Sequence, residues 1–289
     1  MIGYRHLVTS LIAIFIALGL GIFIGHFISA KDQASSIEQL PSQYELNSEE
    51  NGYAAVVATN VELLESIAMY EEFGKVLLDS LLNERLAGKN LALIVTGHQE
   101  VPTSMLEVLD LAGAKIVSQT IVGDLSIPAE ALSKSLIDFY GLPVQATGEE
   151  IRRQIGISTG VIVSGQNSSS TVEYLTQWNL VHFAGDYQVP VDGFIILGGA
   201  IQDEVNASTS FDIGLILGLG QHPGVKVGVE CSEVAVTYMS EYQQLRLRTI
   251  DNVDQMPGQY ALVMALDQVQ GNFGIKPTAD QLIPSWIMP

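Results

Sequence analysis

The side chains that could hold a soft metal are few. Cysteine occurs once, at Cys231, and the donors that could join it are His98, His182, His222 and Met239. No CxxC or MxxM spacing exists, and one cysteine excludes both an internal disulfide and a multi-cysteine metal site. His98 directly follows a strong apolar run, which makes it the best single imidazole. His222 and Cys231 flank another such run, which would hold them apart. The metal candidates are therefore Cys231 and His98, although a lone cysteine is equally at home as a small buried residue. For a hard cation the candidates are Glu230, Asp251 and Asp254, which also read as a solvated acidic loop. No GxGxxG, GxxxxGK[ST], GxSxG or HExxH occurs, and no carboxylate pair has a spacing tied to acid–base catalysis. The expectation is a non-enzymatic protein, with an Asp-based envelope enzyme as the alternative.

These residues need elements to position them. Leu91–Thr96, Lys115–Val122, Gly193–Leu197 and Lys226–Glu230 are continuous apolar or β-branched runs closed by glycine or turn residues. Such runs read as strands buried on both faces of a parallel sheet. Leu180–Gly185 reads as a further strand, and Gly160–Ser164 as a short strand or loop. Helix patterns lie between them, over residues 102–113, 128–140, 149–155, 171–179, 211–219 and 258–267. Strands alternating with helices predict a Rossmann-like three-layer α/β domain of five or six strands over residues 89–289. In open α/β sheets ligands bind at the carboxyl ends of the strands. That rule makes Thr96-Gly97-His98, Gly198-Gly199, Glu230-Cys231 and Asp251-Asn252-Val253-Asp254 the default pocket.

Ahead of this domain the chain has a different character. Leu7–Ile28 carries no formal charge, and its 22 residues span about 33 Å as a helix, enough for a bilayer core of about 30 Å. It is longer than a signal-peptide core, and Ile28-Ser29-Ala30 is a poor cleavage site, so residues 1–30 read as a permanent anchor. Ala17, Gly21 and Gly25 share a helix face, a spacing that lets two helices approach. Arg5 and His6 precede the segment and Lys31-Asp32 follow it. This slight positive-inside bias puts the amino terminus in the cytoplasm and the remainder outside. Residues 31–88 then form a linker, to about residue 53, and a helical stalk. In the stalk Leu63, Ile67, Tyr70, Gly74, Leu77 and Leu81 are spaced as a coiled-coil seam or as a helix packed on a partner. The expected partners are thus the membrane and either a second copy or another envelope protein. The chain's net charge is −19, and the part beyond residue 30 carries 12 − 32 = −20, which argues against nucleic acid.

Three stretches carry a resemblance. The opening MIGYRHLVTSLIAIFIALGLGIFIG, the segment RLAGKNLALIVTG at 85–97, and TIDNVDQMPGQYALVMALDQVQGNFGIKPTAD at 249–280 resemble the MctB-like copper transporter family of bacteria. The last is the most specific, through Asp251, Asn252, Asp254, Gly258, Ala261, Leu262, Gly271, Gly274, Lys276, Pro277, Ala279 and Asp280. The resemblance implies one amino-terminal membrane helix, a coiled-coil stalk and an extracytoplasmic α/β domain. It also implies a role in limiting copper accumulation, with a pore at the outer membrane. Copper enters as a possible ligand through this resemblance only, since Met- and Cys-rich motifs are absent. His98, Glu230, Asp251, Asn252, Asp254 and Lys276 are the ligand-binding candidates. For the Asp251-Asn252-Asp254 group, turn and helix capping is the competing role.

Overall fold

The computed structural model describes residues 48–97, 99–125, 130–166, 169–200 and 209–285. The expected anchor Leu7–Ile28 and the site candidate His98 lie outside them. Among the described residues no helix is long and apolar enough to cross a membrane. The chain divides into two units, Met1–Ala68 and Met69–Pro289.

The first described element is α1, Ser48–Leu82. It starts inside the stretch expected to be a linker, because Ser48 to Asn51 are compatible with a first helical turn and Gly52 is tolerated. Within Met1–Ala68 it exposes Val56, Val57, Val61, Leu63, Leu64 and Ile67. In the second unit its last turns turn inward. Leu82 and Leu86 are fully buried, Leu78 and Leu81 pack beside them, and Gly74 faces the Met256 side chain. Of the lower part of the expected seam, Gly74 and Leu81 meet the chain's own domain, whereas Leu77 stays exposed.

The second unit is a mixed α/β fold around one seven-stranded sheet. Its elements are β1 Asn90–Val95, α2 Thr103–Leu111, β2 Lys115–Val122, α3 Glu130–Tyr140, α4 Gly148–Val163, α5 Ser169–Gln177, β3 Val181–Gly185, β4 Gly193–Leu197, α6 Ser210–Leu219, β5 Val225–Val229, α7 Met239–Gln244, β6 Arg248–Ile250, α8 Met256–Leu266 and β7 Asn272–Phe273. The strand order is β3-β2-β1-β4-β5-β6-β7. Neighbours run parallel except for the antiparallel β2–β3 pair. Alternate residues of β1 feed two separate cores, with Leu91, Leu93 and Val95 on one side and Ala92 and Ile94 on the other. That double burial is why the strand reads as an unbroken apolar run. Each fully buried Leu, Ile or Phe here contributes about 1.5–3 kcal/mol.

Gly160–Ser164 is neither strand nor loop; it completes α4. That helix starts at a capping box, in which Glu150 N–H donates to Thr147 Oγ1 at 3.3 Å and Thr147 N–H donates to Glu150 Oε2 at 2.7 Å. It then lies directly on α6. Gly156 and Gly160 face the backbone of Phe211 to Leu219, while Gly214 and Gly218 face that of Arg153 and Ile157. A methyl at any of the four would collide with main chain, so the reciprocal glycines set how closely the helices approach. The apolar Val161-Ile162-Val163 run looks strand-like because this helix is buried on several sides.

Candidate functional site

The sheet order reverses between β1 and β4, and the carboxyl ends of β1, β4, β5 and β6 come together there. Most of the strand-end loops singled out from the sequence do converge. They do so on one another. Gln99, just after β1, is buried and donates from Nε2 to the carbonyls of Gly198 and of Gly199, the latter at 3.1 Å. Its Oε1 accepts the Cys231 N–H at 3.4 Å. Beneath it the fully buried Tyr242 of α7 occupies the slot left by Gly198 and Gly228, where any Cβ would meet its ring or hydroxyl. Among the described residues, these two side chains occupy space at the strand ends, where such sheets hold ligands.

Under the same loops lies a buried acid. Asp212, in the first turn of α6, is 2 % exposed. The Thr96 hydroxyl donates to its Oδ1 at 2.6 Å, and the Tyr242 hydroxyl donates to the same atom at 2.8 Å. Burial pushes the Asp212 carboxyl up to about 6, against the pull of those two donors. Burial and the neighbouring acid push the Tyr242 hydroxyl well above its ordinary range.

A second cluster joins β5, β6 and the loop after β7. Glu230 is fully buried, and Lys276 Nζ reaches its Oε1 at 2.6 Å while also donating to the Cys231 carbonyl at 3.0 Å. The Thr237 hydroxyl and Tyr238 N–H complete the Glu230 shell at 2.7 and 3.2 Å. Burial raises the Glu230 pKa, opposed by Lys276 and Thr237. Asp251 accepts N–H groups from Ile275 and Lys276 at 2.7 and 3.0 Å. Gly274, with φ +144°, makes room for that carboxylate. Asp254 takes the N–H and hydroxyl of Ser232, both at 2.6 Å. Asn252 is fully buried; its Nδ2 lies 3.5 Å from Gln255 Oε1, and its Oδ1 has no hydrogen-bond partner among the described residues.

The metal candidates are placed less favourably. Cys231 is partly buried; burial, reinforced by Asp254, pushes its thiol up to about 11. Met239 is buried in the core and His182 is exposed on β3. His222 sits at the opposite end of β5 from Cys231, its Nδ1 accepting the Gly224 N–H at 3.1 Å and its ring edge-on to Phe194. Burial lowers its pKa. Among the described residues no group of three or more His, Cys, Asp or Glu is placed to hold a metal ion. Gln99, Asp212 and Tyr242 were not singled out from the sequence. The signal for Asp212 was present, as the single charge in the apolar run SFDIGLILGL.

Fold and cluster together define a mixed α/β domain that closes its strand-end loops with its own ion pair, hydroxyls and amides. Across residues 1–284 the chain matches the family described as copper transport outer membrane protein, MctB, and it belongs to that family. No curated protein matches it.

Proposed function

We propose that this chain is a membrane-anchored envelope protein whose part in copper transport is played through its surface and its partners, not through a copper centre in the α/β domain. The family supports the role in copper transport and the membrane association. The observation that carries the rest is how the strand ends are occupied. Gln99 and Tyr242 take up space at the strand ends of the mostly parallel sheet, and Glu230, Asp251, Asp254 and Lys276 are all engaged with one another or with main chain. Protein groups that already have good partners gain little from a ligand. The same engagement supports a non-catalytic reading. In this reading Leu7–Ile28 is the anchor, the amino terminus is cytoplasmic, and residues 31–289 lie outside.

The test is genetic. Deletion is expected to change cellular copper content, and chains carrying Cys231→Ser or His98→Ala are expected to restore it. Unchanged copper on deletion would remove the copper role. Failure of either variant to restore, with normal protein levels, would return a copper centre to the domain.

A further inference from the structure

Tyr242 is held at the strand ends in two ways. Its ring lies in the slot left by Gly198 and Gly228, and its hydroxyl donates to Asp212 Oδ1 at 2.8 Å. The Thr96 hydroxyl reaches the same oxygen at 2.6 Å. One carboxyl oxygen thus ties α6 to α7 and to the end of β1. The Asp212 side chain is buried, and among the described residues no lysine, arginine or histidine bonds to it. The elements packed around it bring no cation either. α7 supplies Tyr242 and Glu241, whose charge opposes ionisation. Tyr238, just ahead of α7, stands edge-on to the Tyr242 ring. From α4 the Arg153 main chain meets Gly214, while the Arg153 side chain is exposed. β4 and the end of β1 bring Leu197 and Thr96, which do not titrate. His98, Asp203 and Glu204 lie outside the described residues.

Two buried acids therefore hold α7, and they differ. At its start Glu230 accepts the Thr237 hydroxyl and the Tyr238 N–H, and Lys276 meets its charge at 2.6 Å. At the Tyr242 end Asp212 has hydroxyls alone. A protonated carboxyl can carry its proton on Oδ2 and still accept both hydroxyls at Oδ1. An ionised one is a buried charge without a counter-ion, which is costly until water reaches it. The side chain that stands between it and the strand ends is Tyr242, on a helix of only six residues.

We propose that Asp212 is a proton-operated latch on α7. The protonated acid keeps Tyr242 seated and the strand ends closed; ionisation releases Tyr242 from its slot and lets water in. The folded carboxyl titrates at about 6 and the ordinary one at 3.8. Opening therefore grows as pH rises from about 3.8 and levels off above about 6. Between pH 4.5 and 7 the opened population rises about 25-fold. This goes beyond the copper reading and uses none of the metal candidates.

The test is amide exchange of the full-length protein in mild detergent between pH 4.5 and 7, corrected for the intrinsic pH dependence of exchange, which reads local openings even in a small minority. Protection of α7 and of Gly198 to Ala200 is expected to fall about 25-fold across this range, while β1 and β4 keep theirs. Asp212→Asn cannot ionise and is expected to make α7 protection independent of pH. Tyr242→Phe keeps the ring in the slot and removes one donor to the carboxylate. Its Asp212 should titrate higher, so the fall should continue to higher pH than in the parent; this variant carries the test if Asp212→Asn does not fold. Protection of α7 that ignores pH in the parent, or a fall shared equally by β1 and β4, would overturn the latch. So would a pH dependence that survives Asp212→Asn, or a Tyr242→Phe curve identical to the parent's. Copper enters none of these readouts, so this inference and the copper reading can fail separately.

Discussion

Asp212→Asn is the sharpest probe of the buried cluster. The folded carboxyl titrates at about 6 and the ordinary one at 3.8. The folded state therefore holds its proton to higher pH than the unfolded chain. The stabilisation from this group is fully present below about 3.8 and is lost as pH rises through about 6. At 1.36 kcal/mol per pH unit the loss comes to about 3 kcal/mol by pH 8. Asparagine keeps the size of the side chain and cannot ionise. It also brings an amide that must donate to Thr96 or Tyr242, whose hydroxyls can turn to accept, at a cost independent of pH. The quantity to read is thus the difference between variant and parent at each pH, from urea unfolding of the full-length protein in mild detergent between pH 4.5 and 8. The variant should gain on the parent by about 2 kcal/mol across this range, most of it between pH 4.5 and about 6 and little above. Glu230, whose pKa is also raised, tilts both proteins alike and cancels. Stability curves that stay parallel within about 0.5 kcal/mol, a usual size for neutral surface changes, would refute the argument that burial raises the Asp212 pKa.

Other expectations rest on separate features. Lys276→Ala leaves Glu230 buried and unpaired and should cost about 3–5 kcal/mol in unfolding free energy, with part restored by adding Glu230→Gln. Gly214→Ala drives a methyl into the Arg153 main chain and should cost about 3 kcal/mol or more, whereas Gly220→Ala, beyond the same helix, strains one turn and costs less. Gln268 holds φ at +80° as a non-glycine residue, so Gln268→Gly should raise the melting temperature, by a gain of up to about 1 kcal/mol.

The parts of this fold that could be read in the sequence are those with two buried faces. β2 and β4 have the boundaries expected for them, and β1 and β5 are displaced by one residue; in β1 and β4 burial on both sides writes an apolar run whose ends are sharp. β6 and β7 have three and two residues, too few to show any period. The last turn of α4 imitated a strand because its glycine contact with α6 allows β-branched residues on its remaining faces. At the site, the loop glycines Gly198 and Gly199 after β4 meet Gln99 after β1 and Cys231 after β5. Sequence spacing could not show that Lys276 would reach back 46 residues to Glu230, or that Asp251 would hold the main chain of the same loop. Nor could it show that the glycines at 198 and 228 make room for Tyr242 and not for a ligand. The Asp251-Asn252-Asp254 group carries the strongest motif, and in the structure Asp251 and Asp254 tie neighbouring loops.

The account stands most directly on one titration, that of the full-length protein with Cu(I) under anaerobic conditions against a chelator of known affinity. It predicts no copper retained beyond what the chelator concedes, and the same curve for the Cys231→Ser and His98→Ala variants. Stoichiometric uptake that disappears in either variant would contradict it and would place a copper centre at the strand ends.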